Sequence, residues 1–203
     1  MRLHWSPRSP FVRKVMIAAH ELGLAGRIET VRTVVQMSKP NADLLADNPL
    51  SKIPTLVLDD GTRLFDSLTI CEYLDSLGGN RLFPPAGPAR WKALTGHALG
   101  NGFLDLLILW RNERGKPATQ QTPAWLDSFA VKTRATLDRL EAMAADLGAA
   151  PVGIGHIAIG CALSYADFRF ADLGWREGHP GITAWYASFA QRPSVLATGI
   201  VDA

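Results

Sequence analysis

The spacing of hydrophobic positions changes character near residue 80. Before that point short apolar runs alternate with amphipathic stretches. Arg2 to Trp5, Ile28 to Val35, Thr55 to Leu58 and Arg63 to Phe65 read as strands; Pro10 to Leu24 and Ser67 to Leu77 carry apolar residues three and four apart and read as helices. A βαβ order followed by ββα, in fewer than about 80 residues, predicts a small sheet with helices packed on it. Beyond it the apolar period is helical throughout, over Trp91 to Arg114, Trp125 to Leu147, Ile154 to Ala171 and Ile182 to Gln191. Between the halves, the glycines and prolines from Gly78 to Pro88 read as a linker. The expected organisation is an α/β domain over 1–77, a linker over 78–88 and an all-helical domain over 89–203, with no internal repeat.

Composition narrows the function classes. A chain of 203 residues with 47% hydrophobic and 20% charged residues can bury a core without staples. The 21 basic and 19 acidic residues are interspersed and form no basic run, so nucleic-acid binding has no electrostatic support. The longest apolar stretch, Leu106 to Trp110 with Phe103 and Leu104 before it, is far too short to span a membrane. Met1-Arg2-Leu3-His4 lacks the apolar core of a signal peptide, which makes the cytosol the expected location. The two cysteines, Cys71 and Cys161, sit in apolar helical patterns and read as small core residues, with no disulfide framework. His4, His20, His97, His156 and His179 show no metal-ligand spacing.

Chemistry concentrates at two junctions. Ser6-Pro7-Arg8-Ser9-Pro10-Phe11-Val12 lies where the first strand gives way to the first helix. Ser9 before Pro10 is a helix-start signal, since serine caps orphan N–H groups and proline suits the first helical position. The same place favours an anion, because free N–H groups and the helix dipole point at it. Asp66-Ser67 reads as a capping pair for the helix from Leu68.

Together with Asn48-Pro49-Leu50-Ser51-Lys52-Ile53-Pro54-Thr55-Leu56, with Leu64-Phe65-Asp66-Ser67, and with Gly160-Cys161-Ala162-Leu163 and Asp167-Phe168-Arg169-Phe170 in the helical half, the opening loop resembles the glutathione transferase family, specifically its bacterial serine- or cysteine-type members. The resemblance covers nearly the whole chain. It implies an α/β thioredoxin-like N-terminal domain followed by an all-α C-terminal domain, with glutathione as co-substrate, an apolar electrophilic small molecule as second substrate, no metal, and a homodimer.

At the residue level the resemblance sets Ser9-Pro10-Phe11-Val12 where thioredoxin-like folds carry C-x-x-C. Both sulfurs are absent, so dithiol exchange cannot run on the chain's own residues. A serine can instead donate its O–H to the thiolate of bound glutathione, a thiol with ordinary pKa about 8.5. Ser6 competes with Ser9 for that role. The family's proline corresponding to Pro54 is cis, which would let Ile53 offer its N–H and C=O to the cysteinyl part of glutathione like an added strand. Ser67 would take the γ-glutamyl carboxylate and Asp66 the amino end. Lys52 and Lys39 are candidates for the glycyl carboxylate, with solvated lysine as the alternative for each.

Trp110 and Arg111 fit either the second-substrate pocket or ordinary packing. One departure is Gly153-Ile154-Gly155-His156, where the family commonly has a Ser/Thr-x-x-Asp box. It predicts a weakly specified helix start, at a cost of about 1 kcal/mol. The implied activity is attack of activated glutathione on an electrophilic carbon. A glutathione-dependent disulfide reductase or peroxidase, a dehalogenase and a non-catalytic binding protein of the same fold are the alternatives.

Overall fold

In the computed structural model, residues 1–202 are described. The chain forms two compact units, Met1–Arg90 with Pro193–Ala203, and Trp91–Arg192. The first unit holds four strands, β1 (Arg2–Trp5), β2 (Glu29–Arg32), β3 (Thr55–Val57) and β4 (Arg63–Leu64), in the order β2-β1-β3-β4. β1 and β2 are parallel, and β3 is antiparallel to both β1 and β4. Leu3 and Leu56, partners across β1 and β3, are fully buried. Helices α1 (Pro10–Glu21), α2 (Ala42–Leu45) and α3 (Ser67–Leu77) complete this unit. α1 and α3 pack together, bringing the buried stripes Val12, Val15, Ala18, Ala19 and Ile70, Cys71, Leu74 into one core. This is the thioredoxin-like domain expected of the sequence.

Some boundaries differ from the apolar pattern for identifiable reasons. β2 ends at Arg32, not Val35, because its partner β1 ends at Trp5 and the register is exhausted. Val34 and Val35 are correspondingly exposed. The single turn of α2 has no apolar period to reveal it; it is capped by Asn41, whose side chain accepts from Leu44 N–H at 3.0 Å. Residues 78–83 are not a loose connection. The buried Asp75 carboxylate accepts from the N–H groups of Arg81, Leu82 and Phe83 at 2.7, 2.8 and 3.0 Å. The tail after residue 192, placed by sequence pattern with the helical domain, belongs to the first unit. There α8 (Pro193–Leu196) packs on α1, with Arg13 Nη2 donating to Val195 O at 3.2 Å and Ser194 Oγ donating to Glu21 Oε1 at 2.5 Å.

The second unit is the helices α4 (Pro88–Arg114, from Trp91), α5 (Pro123–Ala149), α6 (Ile154–Arg169) and α7 (Pro180–Ala190). α6 is buried along nearly its whole length. Two glycines permit its neighbours to approach. A Cβ on Gly100 of α4 would come within 2.6 Å of the backbone of Ala158 and Ile159, and one on Gly160 within 2.1 Å of the Phe189 ring of α7.

The start of α6 is better specified than the sequence predicts. His156 Nδ1 accepts from the Gly153 N–H at 3.1 Å, and its Nε2 lies 3.2 Å from Leu147 O. Half of a capping box survives, with imidazole doing the work of the carboxylate, and the other ring nitrogen ties the helix start to the end of α5. α7 has no capping side chain of its own. Glu141 of α5 supplies one, accepting from Gly181 and Ile182 N–H at 2.9 and 2.8 Å. Those two bonds hold its carboxyl below the usual range.

Candidate functional site

The sheet register sets where the polar residues of the first unit gather. His4 pairs with Thr55, so the end of β1 lies beside the start of β3; Leu56 pairs with Leu64, so the end of β4 lies beside it too. The Ser6–Ser9 loop, the Lys52-Ile53-Pro54 approach to β3 and Asp66-Ser67 after β4 therefore leave the sheet at one end. α1 and α3 both begin there. Two sets of orphan N–H groups and two positive dipole ends face the same region.

Ser9 is the N-cap of α1. It is extended (φ −82°, ψ 116°), and its Oγ accepts from Val12 N–H at 3.3 Å, with Pro10 beginning the helix. The capping reading is thus realised, and it does not exhaust the hydroxyl: a serine that accepts one bond keeps its O–H to donate. Ser6 is differently placed. Its Oγ accepts from Arg8 N–H at 3.5 Å, its carbonyl accepts from Ser9 N–H at 3.2 Å, and it lines a cavity of about 180 Å³. That cavity is bounded by Trp5, Arg13, His20 and residues 197–199 of the chain's own tail, and Ser9 is not part of it.

The Ile53–Pro54 peptide is cis. Asn48, 1% exposed and not singled out by the sequence pattern, builds the loop that presents it. Its Nδ2 donates to Lys52 O at 3.1 Å and to Thr55 Oγ1 at 2.9 Å, while its Oδ1 accepts from Leu50 N–H at 3.0 Å. In the sequence it is only the first residue of the Asn48–Leu56 stretch, with no role of its own to read there. The Ile53 side chain is buried, yet among the described residues its main-chain N–H and C=O have no hydrogen-bond partner. An unpaired donor and acceptor beside a strand are what an extended peptide needs to add to the sheet.

Asp66 caps α3, its Oδ1 accepting from Leu68 N–H at 3.0 Å. Ser67 is the first residue of α3 and is 1% exposed, and its hydroxyl meets no partner among the described residues. Lys52 is exposed and next to Ile53. Lys39 is exposed in the turn joined by the isolated Gln36–Lys39 bridge, and the register does not bring it to the others. Beneath the loop, Asp47 binds His4 Nε2 at 2.9 Å and Arg63 Nε at 3.1 Å. Its bond with His4 holds the carboxyl below the ordinary range, with Arg63 acting in the same direction against some desolvation.

In the helical unit, Trp110 is core, its ring 5.1 Å from Phe170 and 6.4 Å from Phe129. Arg111 is exposed, and its Nη1 donates to the Tyr165 hydroxyl at 3.4 Å. Both cysteines are buried. Among the described residues no group of His, Cys, Asp and Glu is placed to hold a metal ion, and no helix is long and apolar enough to cross a membrane.

Comparison with known proteins agrees with this geometry. Residues 8–77 match the family model for the glutathione S-transferase N-terminal domain, and residues 123–188 match that for the C-terminal domain. The Escherichia coli (strain K12) GST-like protein YibF, itself uncharacterized, is 32% identical over 98% of both chains. A glutathione transferase family member from Pseudomonas fluorescens Pf-5, crystallised with bound glutathione, superimposes with a TM-score of 0.95 at 43% identity, covering 98% of each chain. A structure of a family member from the same organism with bound S-(propanoic acid)-glutathione gives 0.89 at 41% identity, again over 98% of each.

Proposed function

Because the chain belongs to the glutathione transferase family, we propose that it binds glutathione at the end of the sheet in its first unit and transfers it to an electrophilic small molecule. The observation that carries the reading is Ile53: a buried side chain just before β3, with its own N–H and C=O both unpaired among the described residues. A tripeptide thiol laid along Ile53 would satisfy both groups as an added strand does. The γ-glutamyl carboxylate goes to the Ser67 hydroxyl and the N-terminus of α3, Asp66 receives the amino group, and Lys52, next to Ile53, meets the glycyl carboxylate. Relatives with glutathione and with a glutathione conjugate bound support the same ligand class.

Chemistry falls to the serine-type opening of α1. The Ser9 O–H, its oxygen already accepting from Val12, donates to the glutathione sulfur and, with the dipole of α1, favours the thiolate. The thiol proton leaves to solvent. The sulfur lone pair then forms a C–S bond at the electrophilic carbon, and that carbon either expels its leaving group or passes its π electrons onward. With serine and valine at Ser9 and Val12, the disulfide-reductase reading has no resolving thiol of its own there. Titration calorimetry with glutathione is the test. Saturable binding at one site per chain is expected, and no heat at millimolar glutathione would overturn the reading.

A further inference from the structure

α1 carries two stripes. Val12, Val15 and Ala19 are buried in the core, while Arg13, Met16 and His20, at i, i+3 and i+7, make a second row along the helix. That second row does not close onto protein. With Trp5 at the end of β1 and Thr30 of β2 it walls the cavity of about 180 Å³, bordered by residues 197–199 of the tail and by Ser6 and Pro7. All of these belong to the first unit. The order β2-β1-β3-β4 sets β2 on the side of β1 away from β3 and β4, so the cavity lies across β1 from Ile53 and Asp66-Ser67. Its charge is one-sided, since Arg13 and His20 line it and, among the described residues, no carboxylate does. The acids nearby are turned to other partners. Glu21 accepts from Ser194 Oγ at 2.5 Å, Asp202 pairs with Arg8 at 3.8 Å, and the pleat of β2 sends Glu29 to the face opposite Thr30. Arg13 is held at the wall, its Nη2 donating to Val195 O at 3.2 Å.

We propose that this cavity is a ligand site separate from the glutathione site, and that it takes a single-ring aromatic monocarboxylate, benzoate being the simplest. Size sets the ring count: an apolar cavity of about 150 Å³ takes one benzene ring, whereas drug-sized ligands need about 300 Å³ or more. The lining sets the chemistry. Trp5, Pro7 and Met16 give the ring an apolar wall, with the indole offering a face to stack on. The carboxylate meets the Arg13 guanidinium, whose planar fork suits two carboxylate oxygens, and the His20 ring one and a half turns further along α1 supplies an N–H donor beside it. A carboxylate brought here replaces water around a cation that has no acid beside it in the cavity, so charge and apolar burial favour the same occupant. The site does not depend on the transferase reading.

The test is calorimetry on the full chain with benzoate, benzamide and acetate, each with and without glutathione. Benzoate is expected to bind at one site per chain, roughly tenfold more tightly than benzamide, which has the ring without the charge, and more tightly than acetate, which has the charge without the ring. The preference over benzamide should fall to near one in Arg13→Gln. Thr30→Trp changes an exposed position on the edge strand and fills the cavity from the sheet side, so it should abolish binding with Arg13 intact. Glutathione should leave benzoate affinity unchanged. No benzoate heat at millimolar concentration, equal affinity for benzoate and benzamide, undiminished binding in Thr30→Trp, or displacement of benzoate by glutathione each overturns the inference. The glutathione titration alone remains the measure of the transferase reading.

Discussion

Ser67 and Ser9 are both serines at helix starts, and the structure separates what each can do. Ser67 is buried with an unpartnered hydroxyl behind the Asp66 cap, whereas Ser9 is itself the cap and has only its proton to give. Their removal should therefore act on different quantities. Ser67→Ala is expected to weaken glutathione binding by about 1–3 kcal/mol, the worth of a hydrogen bond to a charged group, with thermal stability little changed. Calorimetry checks it, and an unchanged affinity would remove Ser67 from the carboxylate site. Asn48 shows why some residues escape a reading of the sequence. Its three bonds to Lys52, Thr55 and Leu50 shape the loop that carries Ile53, but a buried asparagine in an Asn-Pro turn looks the same in a sequence as a solvated one.

Elements were legible where periodicity and partner agreed. α3 and β1 stand where the apolar spacing places them, and α1 begins there but ends at Glu21, short of Leu24, because each buries a face whose pattern is written in its own residues. β2 and the tail were not, since their limits are set by other segments: β2 stops where β1 stops, and α8 is held by Arg13 and Glu21 of α1. The start of α6 belongs here too. His156 accepts at Nδ1, so only the neutral ring fits, and desolvation lowers its pKa from 6.5, Arg192 adding to the effect while the bond with the Leu147 carbonyl opposes it. The Trp185 ring, 6.2 Å away, is the uncharged neighbour from α7. A histidine whose folded pKa is depressed contributes stability that is fully present above its unfolded pKa and is lost as pH falls through the folded one. Urea midpoints should accordingly decline as pH drops below about 6.5. His156→Gln keeps an acceptor for Gly153 N–H without titrating and should lose that part of the slope. Equal slopes in the two proteins would show that His156 does not carry it.

For the whole molecule, the helical unit leaves large apolar side chains in solvent: Trp91 is 68% exposed, Trp125 56% and Val131 68%. Side chains of this kind are available to a contact surface, and a second copy of the chain is the partner the family resemblance implies. Light scattering is expected to return twice the 22.0 kDa chain mass, and a 22.0 kDa particle across micromolar concentrations would reject the homodimer. The role proposed for the Ser9 hydroxyl depends on where α1 begins, and α1 begins there because β1 delivers the chain to that end of the sheet. Its most direct measurement is the ultraviolet absorbance of enzyme-bound glutathione thiolate titrated against pH in wild type and Ser9→Ala. Wild type should ionise its bound thiol below the free value of about 8.5, and Ser9→Ala should move the midpoint back up by about one unit, or 1.36 kcal/mol. Superimposable titrations would leave Ser9 as a helix cap and nothing more.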